Sequence, residues 1–294
     1  LIPGYLTLID EGWQANAQKM SAIQQEAETA LLQARAKELP ITLNGLTVVR
    51  NTRIFDSVTT KLSKASDVFF LRGKITAIVP AGTLTTPVDN FIDAQGRIML
   101  PGLFDMHGHL SRWEGGLHLA AGVTSLRDMG NDNATLQMMM DEISQDKLLA
   151  PTIFPTGFLE GESPMSARNG FVVSDLDGAK SAINWYATHN YHQLKIYNSF
   201  PKEILKDTVA YAHSRGMRVS GHVPAFLKAE DAIEAGFDEI QHINQLVLNF
   251  LVKPETDTRT LERFYLPARE FADIDLQGKQ IQDFIKLLKN KGLS

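Results

Sequence analysis

The sequence contains no cysteine. A disulfide framework and thiolate chemistry are therefore excluded, and any bound metal must rest on His, Asp, Glu or a modified side chain. No run of about 18 apolar residues is present, so no transmembrane helix is expected. The net charge is −5 rather than positive. That removes the electrostatic basis for nucleic acid or an anionic membrane as a partner. No dinucleotide-type glycine fingerprint follows any of the apolar strands described below, which weakens a doubly wound nucleotide-binding sheet. Leu1 is preceded by no Met and followed by no basic-then-apolar signal pattern. We expect that an N-terminal stretch was removed, and that a periplasmic or secreted location goes with it.

What is present is a globular composition, 44% hydrophobic and 21% charged over 294 residues. That length accommodates about two ordinary domains or one large one. Residues 12–38 are rich in Ala, Gln and Glu and read as a helix ended by Leu39-Pro40, a linker or packing element. Residues 41–99 hold short β-rich runs divided by turn signals such as Arg72-Gly73-Lys74 and Gln95-Gly96. From residue 100 strands and helices alternate. Strands are predicted at 102–107, 123–128, 151–157, 192–197, 217–222 and 238–243. Helices are predicted at 133–146, 177–189, 202–214, 226–235 and 277–290. Repeated βα units indicate a parallel sheet covered by helices, and six in a row favour a barrel.

In such a barrel the working residues stand at the C-terminal ends of strands. The first predicted strand ends in "GLFDMHGHL", where alternation puts Asp105, His107 and His109 on one face. The fourth carries Lys195, the fifth ends at His222 and the sixth at His242. A single histidine at a strand end is most often a hydrogen-bonded structural residue. The joint pattern of five such groups on four strands points to a metal centre instead. His118, His189, His192 and His213 fall in helices or at their ends and are read as structural. Lys195 needs its own explanation, because an ammonium ion beside a dication is repelled and desolvated. A neutral amine there can take up carbon dioxide and become an anionic carbamate able to bridge two ions.

The motifs "GRIMLPGLFDMHGHL", "AGVTSLRDMG", "LKIYNS", "VSGHVP" and "IQHIN" resemble the amidohydrolase superfamily, most closely its imidazolonepropionase-like and prolidase-like branch. The resemblance covers roughly residues 45–294. It implies a TIM barrel with a flanking β-sandwich and a binuclear centre, commonly zinc. On this reading residues 1–44 are an N-terminal helical segment, 45–99 a β-sandwich portion and 100–294 a partial barrel. His107 and His109 resemble ligands of the more buried ion, carboxylated Lys195 the bridge, and His222 and His242 ligands of the second ion. The family's strand-eight aspartate, which handles the proton, has no counterpart before Ser294. We therefore expect this chain to be one piece of a longer polypeptide whose remainder closes the barrel. Asp105 and Asp128 are candidates for orienting ligands.

The implied reaction is hydrolysis of a C–N bond, amide or cyclic amide, by a metal-activated hydroxide. The implied substrate is a small amide or dipeptide-like molecule, and a homo-oligomer is expected. Two other readings stay open: a mononuclear deaminase on the same fold, which would not need Lys195, and a non-catalytic homologue acting as a scaffold. Residues 158–175 read as a long loop over the rim, with Glu160, Glu162 and Arg168 available to a polar substrate.

Overall fold

The structure, a computed structural model, describes residues 9–293. The first eight residues of the expected helical segment, and Ser294, lie outside the described residues. The chain divides into two compact units. One holds the described residues up to Phe104 together with Gly115–Thr124 and Ile143–Ala150; the other holds Asp105–Glu114, Ser125–Glu142 and the rest from Pro151.

In the first unit a helix, α1 (Ala17–Glu38), forms where the Ala-, Gln- and Glu-rich run predicts it. It buries only Leu32. Five strands follow: β1 (Thr47–Asp56), β2 (Lys61–Leu71), β3 (Lys74–Pro80), β4 (Asn90–Asp93) and β5 (Ile98–Met99). They make one sheet in the order β3-β2-β1-β4, with β5 also on β1. The β2–β3 hairpin turns through Arg72-Gly73, with Leu71 opposite Lys74. Val48 and Phe69 face each other across β1 and β2 and are both buried. The buried Asp67 carboxylate accepts from the backbone amides of Asn51 and Gly82, joining the bulged part of β1 to the turn after β3.

The remaining elements are β6 (Leu103–Gly108), α2 (Gly115–Ala120), β7 (Val123–Asp128), α3 (Asn133–Ser144), β8 (Thr152–Gly161), β9 (Phe171–Val173), α4 (Leu176–Thr188), β10 (Gln193–Ile196), α5 (Leu205–Ser214), β11 (Arg218–Gly221), α6 (Ala229–Ala235), β12 (Glu239–Ile240), α7 (Ile243–Leu251), α8 (Glu262–Glu270) and α9 (Lys279–Lys291). Six of the strands form a curled parallel half-barrel in the order β12-β11-β10-β8-β7-β6, and β9 pairs with β8. The protein is thus an α/β structure, as the alternating pattern predicts. Parallel strands between helices are buried on both faces, and all four residues of β10 are buried. Leu126, Leu159, Leu194, Ile196 and Val219 fill this core at or near zero exposure. Each contributes about 1.5–3 kcal/mol by leaving water. Helix α4 starts at Asp175, whose side chain accepts from the Gly178 amide. Its Tyr186 hydroxyl accepts from the Phe158 amide at 3.0 Å and donates to the Phe158 carbonyl at 2.9 Å, pinning α4 to β8.

Two expectations need correction. Residues 158–175 are not one loop. Strand β8 continues through Gly161, β9 occupies 171–173, and irregular backbone is confined to 162–170 and 174–175. Gly161 is in this stretch because of packing: a Cβ there would lie 1.9 Å from the Ser199 carbonyl oxygen. The sequence reading also placed no element between 243 and 276, where α7 and α8 form. Helix α7 begins directly after His242, its N-cap, so no turn residues separate it from the preceding strand.

Candidate active site

Each of the five singled-out groups stands at or just past the C-terminal end of a parallel strand. His107 is in the last turn of pleats of β6 and His109 follows it; Lys195 is inside β10; His222 and His242 follow β11 and β12. The ladder carries on past the strand ends, because the His222 amide donates to the Ile196 carbonyl and the Gln241 amide to the Gly221 carbonyl. Gly221 itself has φ +139°, and a Cβ there would lie 2.1 Å from the Ile196 carbonyl oxygen, so only glycine admits this approach of β11 to β10. His242 has φ +66° as the chain turns from β12 into α7, a costly conformation for a residue with a Cβ.

The side chains gather. Ring centroids lie 5.5 Å apart for His107 and His109, 4.6 Å for His107 and His242, and 4.9 Å for His222 and His242. Lys195 Nζ is 3.4 Å from His107 Nε2, and its side chain is buried. Tyr197, two residues on, lies with its ring 4.2 Å from that of His222. The structure therefore brings together all five candidates.

Three imidazoles share one hydrogen-bonding arrangement. Nδ1 of His107 meets Gln241 Oε1 at 2.6 Å, Nδ1 of His109 meets the Gly130 carbonyl at 2.6 Å, and Nδ1 of His222 meets Asn198 Oδ1 at 2.7 Å. Each partner is a carbonyl oxygen, which only accepts, so each Nδ1 carries a proton and each Nε2 is the nitrogen left to act as a ligand in the neutral ring. His222 Nε2 is buried with no partner among the described residues. Burial and then the Lys195 charge lower the pKa of His107 to about 4 and of His222 well below the usual imidazole range. The same two causes lower His242. Burial brings Lys195 down to about 8, helped by the charge of Arg127 and opposed by Asp128. The neutral forms that result are the ones able to donate electron pairs.

The aspartates have backbone partners. Asp105 accepts from the His107 amide. The buried Asp128 accepts from the amides of Leu110 and Gly130 and from Asn131 Nδ2, and so shapes the chain on both sides of His109's partner carbonyl. Glu160 is fully buried at the end of β8, its oxygens turned on the amides of Gly161, Ser199 and Ala167. Burial raises its pKa to about 7 against those hydrogen bonds. Glu162 and Arg168 pair with each other on the surface at 3.2 Å.

Sequence reasoning missed several participants. Gln241 and Asn198 orient imidazoles. Arg127 donates to Glu239 through both terminal nitrogens, at 2.8 and 2.7 Å, and its Nε donates to the Met106 carbonyl. Arg263, at the start of α8, is tied by its carbonyl to Asn244 Nδ2 in the first turn of α7. Its Nε is buried without a partner among the described residues. Its charge adds to burial in lowering His222 and His242 and works against burial at Glu160. The available signal was period-two alternation, which puts Glu239 and Gln241 on one face of the predicted strand 238–243 and Gln193 and Lys195 on one face of β10.

No family model matches the chain. A dihydroorotase from Solibacter usitatus (strain Ellin6076) is 33% identical over 125 residues, spanning 37% of this chain and 28% of that protein. Bottromycin amidohydrolase superposes with a TM-score of 0.61 at 20% identity, covering 82% of this chain and 50% of its own. A Xaa-Pro dipeptidase solved with methionine bound in its active site gives 0.59 at 18% identity, covering 85% and 78%. An ochratoxinase from A. niger gives 0.53 at 14% identity, covering 85% and 72%. The chain thus has the fold of amidohydrolase-superfamily proteins, the group its motifs resemble. It spans half the length of the bottromycin amidohydrolase, and the dihydroorotase match is to little more than a quarter of that protein.

Proposed function

We propose that this chain carries the metal-holding part of a hydrolase that cleaves a C–N bond, an amide or cyclic amide, on a TIM-type barrel accompanied by a β-sandwich. The observation that carries the reading is the common orientation of His107, His109 and His222, each with Nδ1 engaged by a carbonyl oxygen and Nε2 turned to accept. That is how imidazole ligands of metals are usually held. As the side chains stand, no group of three or more His, Cys, Asp or Glu among the described residues is arranged to hold a metal ion. The donor chemistry fits one nonetheless, through the partnerless buried Nε2 of His222 and the depressed basicity of three of the histidines.

In this proposal His107, His109, His222 and His242 would hold two divalent ions, zinc by preference for imidazole, with Lys195 as a carbamate between them. Two such ions supply an activated water nucleophile and an electrophile for the substrate carbonyl. The protein's own residues do the rest. Gln241, Gly130 and Asn198 fix the imidazole tautomers. The buried setting of Lys195 keeps a share of its amine unprotonated and open to carbon dioxide. We assign recognition of a substrate carboxylate to Arg263, whose charge reaches His222, His242 and Glu160, whereas Arg259 is taken up by Asp257 at 2.7 Å. A dipeptide or an N-acyl amino acid satisfies both requirements. The test is zinc-dependent hydrolysis of a panel of dipeptides and cyclic amides by the full-length protein. Activity abolished by chelation and restored by zinc supports the proposal; hydrolysis indifferent to chelation, or none across the panel, contradicts it.

A further inference from the structure

A single hydrogen-bonded chain runs from Arg127 to His107. Arg127 grips both oxygens of Glu239, at 2.8 and 2.7 Å. Glu239 Oε1 accepts from Gln241 Nε2, and Gln241 Oε1 meets His107 Nδ1 at 2.6 Å. The members come from β7, β12, the residue after β12, and β6. Strands β6 and β12 are the two ends of the six-stranded order, so the chain bridges the open sides of the half-barrel.

Each link dictates the next. Burial would raise the Glu239 carboxyl, but the hydrogen bonds and charge of Arg127 hold it below its ordinary value, so it is an anion and only accepts. An acceptor must face the amide nitrogen of Gln241. The amide cannot then flip, and its oxygen must face His107. An amide oxygen only accepts, so His107 must carry its proton on Nδ1 and leave Nε2 as a lone pair. In water an isolated neutral imidazole can adopt either tautomer; here the protein removes the choice.

We infer that Gln241, held by Glu239 and Arg127, is the positioning residue that locks His107 in the Nδ1–H tautomer. This deepens the hydrolase reading, on which the use of that lone pair rests, while the lock itself does not depend on it. A mere packing role for Gln241 would be met by any side chain of similar volume. A tautomer lock would not: Gln241→Met keeps the volume and removes both the acceptor and the donor. Glu239→Gln keeps the size and lets the Gln241 amide point either way.

The experiment reads the tautomer directly, by imidazole nitrogen-15 NMR on the full chain stripped of metal with a chelator. The unmutated chain should show His107 predominantly as Nδ1–H. Both variants should shift it towards Nε2–H or a mixture while remaining folded by circular dichroism. Cobalt(II) titration of the same samples should show about a 10- to 100-fold loss of affinity, the usual effect of removing a group that orients a ligand. Retention of the Nδ1–H form in folded Gln241→Met and Glu239→Gln overturns the inference. Should one variant fail to fold, the other decides. If the unmutated chain takes up no cobalt, the hydrolase reading fails, and the tautomer spectra still decide the lock.

Discussion

Arg127 and Glu239 lie 112 positions apart in sequence and form a two-pronged ion pair with N···O distances of 2.8 and 2.7 Å. Both side chains are largely buried. Arg127 also reaches the Met106 carbonyl and Gln193, so one guanidinium ties four strands of the half-barrel together. Truncating one member of such a pair strands the other charge. Arg127→Met should therefore cost about 3 kcal/mol in denaturant unfolding, and Arg127→Met combined with Glu239→Leu should recover much of that loss. Additive losses in the double variant would show that the two side chains act separately.

Glu160 predicts a pH dependence. Its pKa is raised in the folded protein to about 7 from a reference of 4.5, chiefly by burial. Below about pH 4.5 both folded and unfolded chains hold the proton and no penalty exists. As pH rises to about 7 the unfolded chain releases it first, so the folded state loses stability, by at most about 3 kcal/mol. Glu160→Gln keeps an oxygen for the Gly161 and Ser199 amides and cannot ionise. The stability difference between variant and parent should therefore grow in the variant's favour from pH 4.5 to 7 and level off above. A flat difference across that window would contradict the assignment.

Gly161→Ala tests the close packing at the end of β8. The added methyl would meet backbone, the Ser199 carbonyl at 1.9 Å, which no side-chain rotation relieves. We expect a loss of about 3 kcal/mol or failure to fold, measured by chemical denaturation. Gly116→Ala, where nothing lies within 4 Å of the added methyl, is the control and should change stability little.

Arg263→Met tests the substrate side of the proposal. For dipeptides with a free carboxylate, KM should rise roughly tenfold, about 1.4 kcal/mol, with little change in kcat. The matching dipeptide amides should be indifferent to the substitution. Equal effects on both substrate series would rule out carboxylate recognition by Arg263.

Much of the half-barrel was legible because period and length are local signals. The strand at 123–128 is found at those residues, and the helices at 133–144 and 176–188 lie within a residue or two of expectation at most ends. The convergence of His107, His109, Lys195, His222 and His242 could be read because strand ends in parallel βα units share one rim. Other features were hidden for identifiable reasons. Helix α7 follows His242 without a break, and an apolar run at a strand end carries no period of its own. Gly161 looks like a loop residue but answers to a contact with Ser199, 38 positions away. The partnership of Arg127 with Glu239, and of Gln241 with His107, depends on which strands become the two ends of the sheet, and no local pattern states that.

The most direct measurement of the central claim is the zinc content of the full chain, loaded with zinc and bicarbonate and then freed of excess metal, beside the same preparation of Lys195→Ala. The account predicts about two zinc ions per chain and a loss of at least half of them in the variant. No zinc retained by the unmutated chain, or equal retention in Lys195→Ala, would contradict it.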